Sequence, residues 1–201
     1  HPSGCILESE TLAAELYGAE TAYFMVNGTS GAVHVMLMAT LSPGDEVLVP
    51  RNAHRSVFNA LVLCGAVPVW LPTATDDRLG IALGVTTETV REALVAHPAV
   101  KAILVTYPNY YGIAFDLKSV AALAHAHGLA VLVDEAHGPH LRFSPELPPD
   151  ALACGADLVA QSTHKLLGSL TQTSILFRQG DRVPHEAVRR AAALLATTSP
   201  N

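Results

Sequence analysis

Along the 201-residue chain, short apolar runs alternate with longer segments in which apolar positions recur three and four residues apart, with polar loops between them. "TAYFMV" (21–26) leads through "NGTS" into "GAVHVMLMATL", where Val33, Met36, Leu37 and Leu41 keep helical spacing before the stop "SPGD". "EVLVP" leads through "RNAH" into "RSVFNALVLCG", whose Val57, Phe58, Leu61 and Val62 share one face and whose Gly65 lies just past its end. "VPVWLP" reads as a further strand, "TATDDRLGIALG" as an irregular polar stretch, and "TTETVREALVAHP" as a helix closed at Pro98. "VKAILVTYP" and "LAVLVDEAHG" read as buried strands on either side of the Ala-rich helix "DLKSVAALAHAHG", and "PELPPDALACG" as a linker and turn. "ADLVAQS" and "TSILF" close the series.

This alternation predicts an α/β domain of three layers, with helices on both faces of a mixed, mostly parallel sheet. A parallel crossover needs about a dozen residues, and only about ten separate "ADLVAQS" from "TSILF", so those two strands are expected to be antiparallel. In open α/β sheets the ligand crevice lies beyond the carboxyl ends of the strands. That rule selects the loops "NGTS", "RNAH", "YPNYYG", "DEAHG" and "STHK".

Composition narrows the function. Half of the residues are hydrophobic, 15% are charged and the formal net charge is −6. There is no basic run of the kind a nucleic-acid surface needs. No apolar run is long enough to span a bilayer, and Cys5, Cys64 and Cys154 form no C-x-x-C pair. A reducing, cytoplasmic setting is the expectation. The start at His1 and the stop at "ATTSPN" suggest a fragment of a longer chain.

Candidate chemistry sits in the selected loops. Gly28, Thr29 and Ser30 open a helix, where backbone N–H groups, two hydroxyls and the helix dipole suit an anion such as phosphate; a simple helix cap fits the same residues. No complete G-x-G-x-x-G or G-x-x-x-x-G-K-[ST] is present. Asp134 ends a five-residue apolar run, where a buried carboxylate needs a cation, and Glu135 points to the other side of the strand as a structural residue. His54 can stack on a planar ligand or cap its helix. His137 and His140 with Asp134 lack the partners of a metal site, and no metal is expected.

Basic positions hold arginine three times out of four, yet Lys165 stands between two apolar runs beside Ser162, Thr163 and His164. A deprotonated lysine forms a Schiff base and arginine does not, and a desolvated, cation-bearing neighbourhood favours that form. An anion-binding helix start, a ring stacker, a carboxylate for a ring nitrogen and a Schiff-base lysine together make the parts of a site for pyridoxal 5′-phosphate. A serine hydrolase built from Ser30, Asp134 and a histidine is the rival from another class. "GTSGA", however, lacks the last glycine of G-x-S-x-G, and Lys165 would have no purpose.

"FMVNGTSGA", "VPRNAHRSV", "YPNYYGIAFDL", "VDEAHGPHLRF", "LACGADLVAQSTHKLLGSLTQTSIL" and the terminal "TTSPN" resemble the major domain of the ornithine/lysine/arginine decarboxylases over the whole of 1–201. The resemblance implies the aspartate-aminotransferase fold and pyridoxal-phosphate-dependent decarboxylation of arginine, lysine or ornithine to the amine, as in polyamine biosynthesis. It implies a Schiff base on Lys165, Asp134 at the pyridine nitrogen, His54 on one ring face and Ala136 on the other. Thr29, Ser30, Ser162 and His164 would hold the phosphate, Gly28 would be a further cofactor-binding residue, and His137 would lie at the cofactor edge or the substrate. It further implies a homodimer or higher homo-oligomer, and an N-terminal segment and small C-terminal domain beyond this chain. Asn109 departs from the threonine expected in "YPNYYG". Another reaction on the same fold, such as transamination or C–C lysis, and a truncated, non-catalytic fragment remain alternatives.

Overall fold

In the computed structural model, residues 2–197 are described; of the terminal "TTSPN" motif only Thr197 falls inside that range. The order of elements is α1 (Cys5–Tyr17), β1 (Thr21–Met25), α2 (Gly28–Thr40), β2 (Glu46–Pro50), α3 (Arg55–Cys64), β3 (Val67–Leu71), β4 (Ala74–Asp76), β5 (Ile81–Gly84), α4 (Thr87–Ala96), β6 (Ala102–Thr106), α5 (Leu117–Ala126), β7 (Ala130–Asp134), β8 (Leu158–Gln161), α6 (Thr163–Leu166), β9 (Ser174–Arg178) and α7 (His185–Leu195). Seven strands form one sheet in the order β1-β9-β8-β7-β6-β2-β3. β3, β2, β6, β7 and β8 are mutually parallel, and β9 runs antiparallel to both of its neighbours, β8 and β1. The expected mixed sheet with one reversed strand is therefore present, and the ten-residue spacing identified the reversal.

Strand periodicity explains why both faces are apolar. In β7, Val131 and Val133 enter one core with Tyr17, Val90, Leu94, Val120 and Ala124, contributed by α1, α4 and α5. Ala130 and Leu132 enter the other core with Val33, Leu37, Val57, Leu61 and Val188, contributed by α2, α3 and α7. Successive side chains of a strand point to opposite faces, so a strand buried on both sides must be apolar at every position. α2 is buried along Gly31, Ala32, Val33, Val35, Met36 and Leu37 because it is enclosed by the sheet, α3 and α7.

Two elements were not legible from the pattern. α1 exposes Ile6, Leu7, Leu12 and Leu16 and buries only Glu10, Ala14 and Tyr17, so its apolar positions do not mark its buried face. The stretch read as irregular, 73–84, contains an antiparallel hairpin of β4 and β5. Its turn is set by Asp76, whose Oδ1 accepts from the N–H groups of Arg78 and Leu79, and Gly80 supplies φ +66°. At Gly84, φ is +128° and an added Cβ would lie 2.7 Å from the Phe115 ring, which excludes any larger residue there.

Candidate active site

β6, β7 and β8 end side by side, with Thr106 opposite Asp134 and Asp134 opposite Ala160. Beyond these ends lies a cavity of about 460 Å³. Gly28, Thr29 and Ser30 line it from the start of α2, His54 from the start of α3, and Asp134, Ala136 and His137 from the end of β7 and the loop after it. Ser162, His164 and Lys165 complete it from the segment after β8. The loops selected by the strand-end rule thus converge on one space.

The start of α2 carries no side-chain cap. Asn27 precedes the helix but does not cap it; its Nδ2 donates instead to the Leu195 carbonyl at 3.1 Å. Gly28 has φ +69°, a left-handed conformation that glycine adopts readily, and its N–H donates to the Gln172 carbonyl at 2.8 Å. Thr29 Oγ1 donates to Ser174 Oγ at 3.2 Å, and Ser174 Oγ donates to the Gln161 carbonyl at 2.7 Å, fixing the helix start to β8 and β9. Ser162 is fully buried, and its Oγ lies 3.3 Å from His164 Nδ1. That nitrogen also lies 2.9 Å from the Thr173 carbonyl, an acceptor only, so Nδ1 of His164 carries a proton.

His54 caps α3. Its Nδ1 accepts from the Ser56 N–H at 3.2 Å and lies 2.8 Å from Ser56 Oγ, so neutral His54 keeps its proton on Nε2. The capping role weighed from sequence is present, in a residue that also lines the cavity. Ser30 makes no hydrogen bond with a histidine among the described residues, so the hydrolase arrangement is not assembled.

Asp134 is 3% exposed, and its Oδ1 accepts from the Ala136 N–H at 3.2 Å. Among the described residues, no cationic side chain forms an ion pair with it. Burial pushes its carboxyl above the usual range, opposed by the Ala136 hydrogen bond and the charges of His54 and Lys165. A carboxylate so placed requires a proton or a cation. Thr106 Oγ1, on the cavity wall, is also buried without a partner.

Lys165 departs from expectation. It lies on the one-turn helix α6, and it is exposed rather than desolvated. The apolar runs on either side belong to β8 and β9, which pair antiparallel, and α6 lies in the connection between them, outside the sheet. Lys165 Nζ is 3.4 Å from His137 Nε2. Burial lowers the His137 pKa, and the charges of Lys165 and His54 lower it further.

A model of the family described as "Orn/Lys/Arg decarboxylase, major domain" matches residues 1–201. The chain belongs to this family. It is 48% identical over 198 residues to the arginine decarboxylase of Bacillus subtilis (strain 168), covering 98% of this chain and 40% of that one. It is 29% identical to the constitutive lysine decarboxylase of Escherichia coli (strain K12), over 99% of this chain and 29% of that one. The chain thus spans about 40% of the length of the arginine decarboxylases it matches. Among solved structures, lysine decarboxylase A from Pseudomonas aeruginosa superposes with a TM-score of 0.85 at 25% identity, covering 98% of this chain and 29% of that one. The constitutive lysine decarboxylase of E. coli gives 0.81 at 27%, with the same coverage. The pyridoxal-5′-phosphate-dependent protein YhfS of E. coli shares the fold, with a TM-score of 0.72 at 18% identity over 95% of this chain and 47% of that one.

Several wall residues of this family domain carried no sequence signal for their position. Ser56, Ala82, Thr106, Thr171 and Gln172 reach the cavity only because of how the loops fold. Tyr110 and Tyr111 lie in a loop the strand-end rule selected, yet no motif marked them individually. Asn109, noted as a departure from the family's usual residue, is buried: its Nδ2 donates to the Ala82 carbonyl at 2.6 Å, and its Oδ1 accepts from the N–H groups of Tyr111 and Ile113.

Glu135 is structural, as expected, and fully buried on the opposite face of the sheet. It accepts from the Ala151 N–H at 2.7 Å and from Gln161 Nε2 at 2.6 Å. Burial pushes its carboxyl up to about 8, with Asp150 adding to the rise and the two hydrogen bonds opposing it. The folded state therefore holds a proton that the unfolded state releases near 4.5, its ordinary value. This contribution to stability is complete below about 4.5 and is lost as pH rises through about 8. Urea unfolding midpoints of Glu135→Gln are expected to fall less steeply than wild type over that interval; equal slopes contradict the assignment.

Proposed function

We propose that the chain is the cofactor-binding core of a pyridoxal-phosphate-dependent decarboxylase acting on a basic amino acid. The observation that carries this reading is Asp134: a buried carboxylate without a cationic partner, at the floor of the cavity that has Lys165 at its mouth. A protonated pyridine nitrogen supplies the missing cation. The uncapped start of α2, with Thr29, Ser30, Ser162 and His164, fits the phosphate. His54 and Ala136 fit the two faces of the ring, and His137 its edge. When bound, the cofactor supplies an electron sink for the bond broken at the substrate Cα.

The protein's own contribution is placement and charge. Lys165 would provide the amine that holds the cofactor covalently. Asp134 would hold the proton on the ring nitrogen, a preorganised electrostatic contact of the kind that contributes to rate. The cavity walls would orient the substrate, and orientation at the cofactor would select decarboxylation among the reactions open to the fold.

The 46–48% identity to proteins named arginine decarboxylase favours arginine over lysine and ornithine. The chain matches about 40% of those proteins; the reading therefore includes further segments, a small C-terminal domain among them, and a second subunit to complete the substrate pocket. A cytoplasmic role in polyamine formation accords with it. The test is release of CO₂ from arginine, lysine and ornithine by the protein that carries this chain, with added pyridoxal phosphate. Release from arginine at the highest kcat/KM is expected; no release from any of the three contradicts the proposal.

A further inference from the structure

His137 contacts the amine on which the proposed chemistry depends, yet cofactor-edge packing gives no reason for an imidazole there. Its Nε2 stands 3.4 Å from Lys165 Nζ. An ammonium has only donors, so the imidazole nitrogen facing it is the acceptor. The ring is half-buried and held edge-on by Tyr110, whose ring centroid is 5.5 Å away at an interplanar angle of 87°. The loop that carries Tyr110 is braced by Asn109. The buried Asn109 amide accepts from the backbone at Tyr111 and Ile113 and ties the loop to the β4–β5 hairpin through the Ala82 carbonyl. Tyr110 itself is 77% exposed, and the backbone that follows it is bonded to that buried side chain.

We propose that His137 is the proton carrier for Lys165, with Asn109 and Tyr110 as the residues that position its ring; the proposal rests on the reading of Lys165 as the Schiff-base amine. The transfer balances within the pair. An Nζ–H bond of the ammonium breaks and its electrons remain on Nζ as the lone pair a Schiff base requires, while the Nε2 lone pair forms the new N–H bond. His137 becomes an imidazolium and returns the proton when Lys165 is released. The titratable groups around it are Lys165 from α6, His54 from the start of α3, Asp134 from the end of β7 and Tyr110 from the loop after β6. The first two disfavour a resting positive charge on His137 and leave its lone pair available.

The test does not need turnover. The protein without cofactor is trace-labelled at near-neutral pH with an amine-acylating reagent, and mass spectrometry gives labelling of Lys165 relative to Lys101 and Lys118. In His137→Phe the Lys165 ratio is expected to fall by about tenfold, below the 10²–10⁴ typical of acid–base groups in full catalysis, and added imidazole is expected to restore part of it to His137→Gly. Tyr110→Leu is expected to give a smaller fall. If His137→Phe lowers the yield of folded protein, His137→Asn, which keeps a polar side chain at this half-buried site, serves in its place. An unchanged ratio in the folded variant overturns the proton-carrier assignment, even with Lys165 captured by pyridoxal phosphate in wild type. Capture at Lys101 or Lys118 in wild type overturns the cofactor reading instead.

Discussion

Lys165→Ala is expected to abolish covalent capture of pyridoxal phosphate and to lower decarboxylation by roughly 10²–10⁴-fold or more, the range associated with losing a positioned acid–base group. Lys165→Arg is expected to be as inactive, because a guanidinium keeps the charge but does not supply a free amine. Neither substitution should disturb the fold. Lys165 is exposed on a single helical turn, and surface substitutions of this kind usually stay within about 0.5 kcal/mol. Urea unfolding of the variants alongside activity separates the two effects. Full activity in Lys165→Ala would remove the lysine from the chemistry.

Asp134→Asn is expected to lower kcat by roughly 10²–10³-fold, as when one preorganised electrostatic contact is removed from an active site. Asparagine preserves shape and keeps a side-chain oxygen to accept from Ala136, but it cannot stabilise a pyridinium. The same substitution should leave the cofactor-free protein at least as stable as wild type near neutral pH, because Asp134 is buried without an ion-pair partner. Burial raises the Asp134 pKa, so its contribution to the stability of the cofactor-free state is present below the ordinary carboxylate value and is lost as pH rises. Removing it makes unfolding less dependent on pH. An active site that holds destabilising charge in exchange for function gives opposite signs in the two assays. A fall in both stability and activity would instead make Asp134 a structural residue.

Much of the architecture was legible because the chain alternates periods of two and of three to four residues, and because one connection was too short for a crossover. The site residues were legible for a related reason: strands of a parallel sheet deliver their carboxyl ends to one edge, so sequence-distant loops can be grouped before any coordinates are known. His54 illustrates the limit. Cap and cavity-lining residue are the same position, and sequence offered them as alternatives when the structure holds both. Lys165 illustrates a second limit. Apolar flanks suggested burial, but a side chain's exposure depends on where the connection projects, and α6 stands outside the strands that bracket it. Gln172, with φ +69° at the cavity wall, carried no signal because its backbone conformation is imposed by the tertiary structure. Asn109 was visible as an unusual residue, but its hydrogen bond to the Ala82 carbonyl joins two segments that only the fold brings together.

The most direct test of the account is the position of the adduct formed when pyridoxal phosphate is added, reduced with borohydride and mapped by mass spectrometry after proteolysis. The account predicts a single pyridoxyl group on Lys165, lost in Lys165→Arg. A stable adduct on Lys101 or Lys118, or none on Lys165, would contradict it.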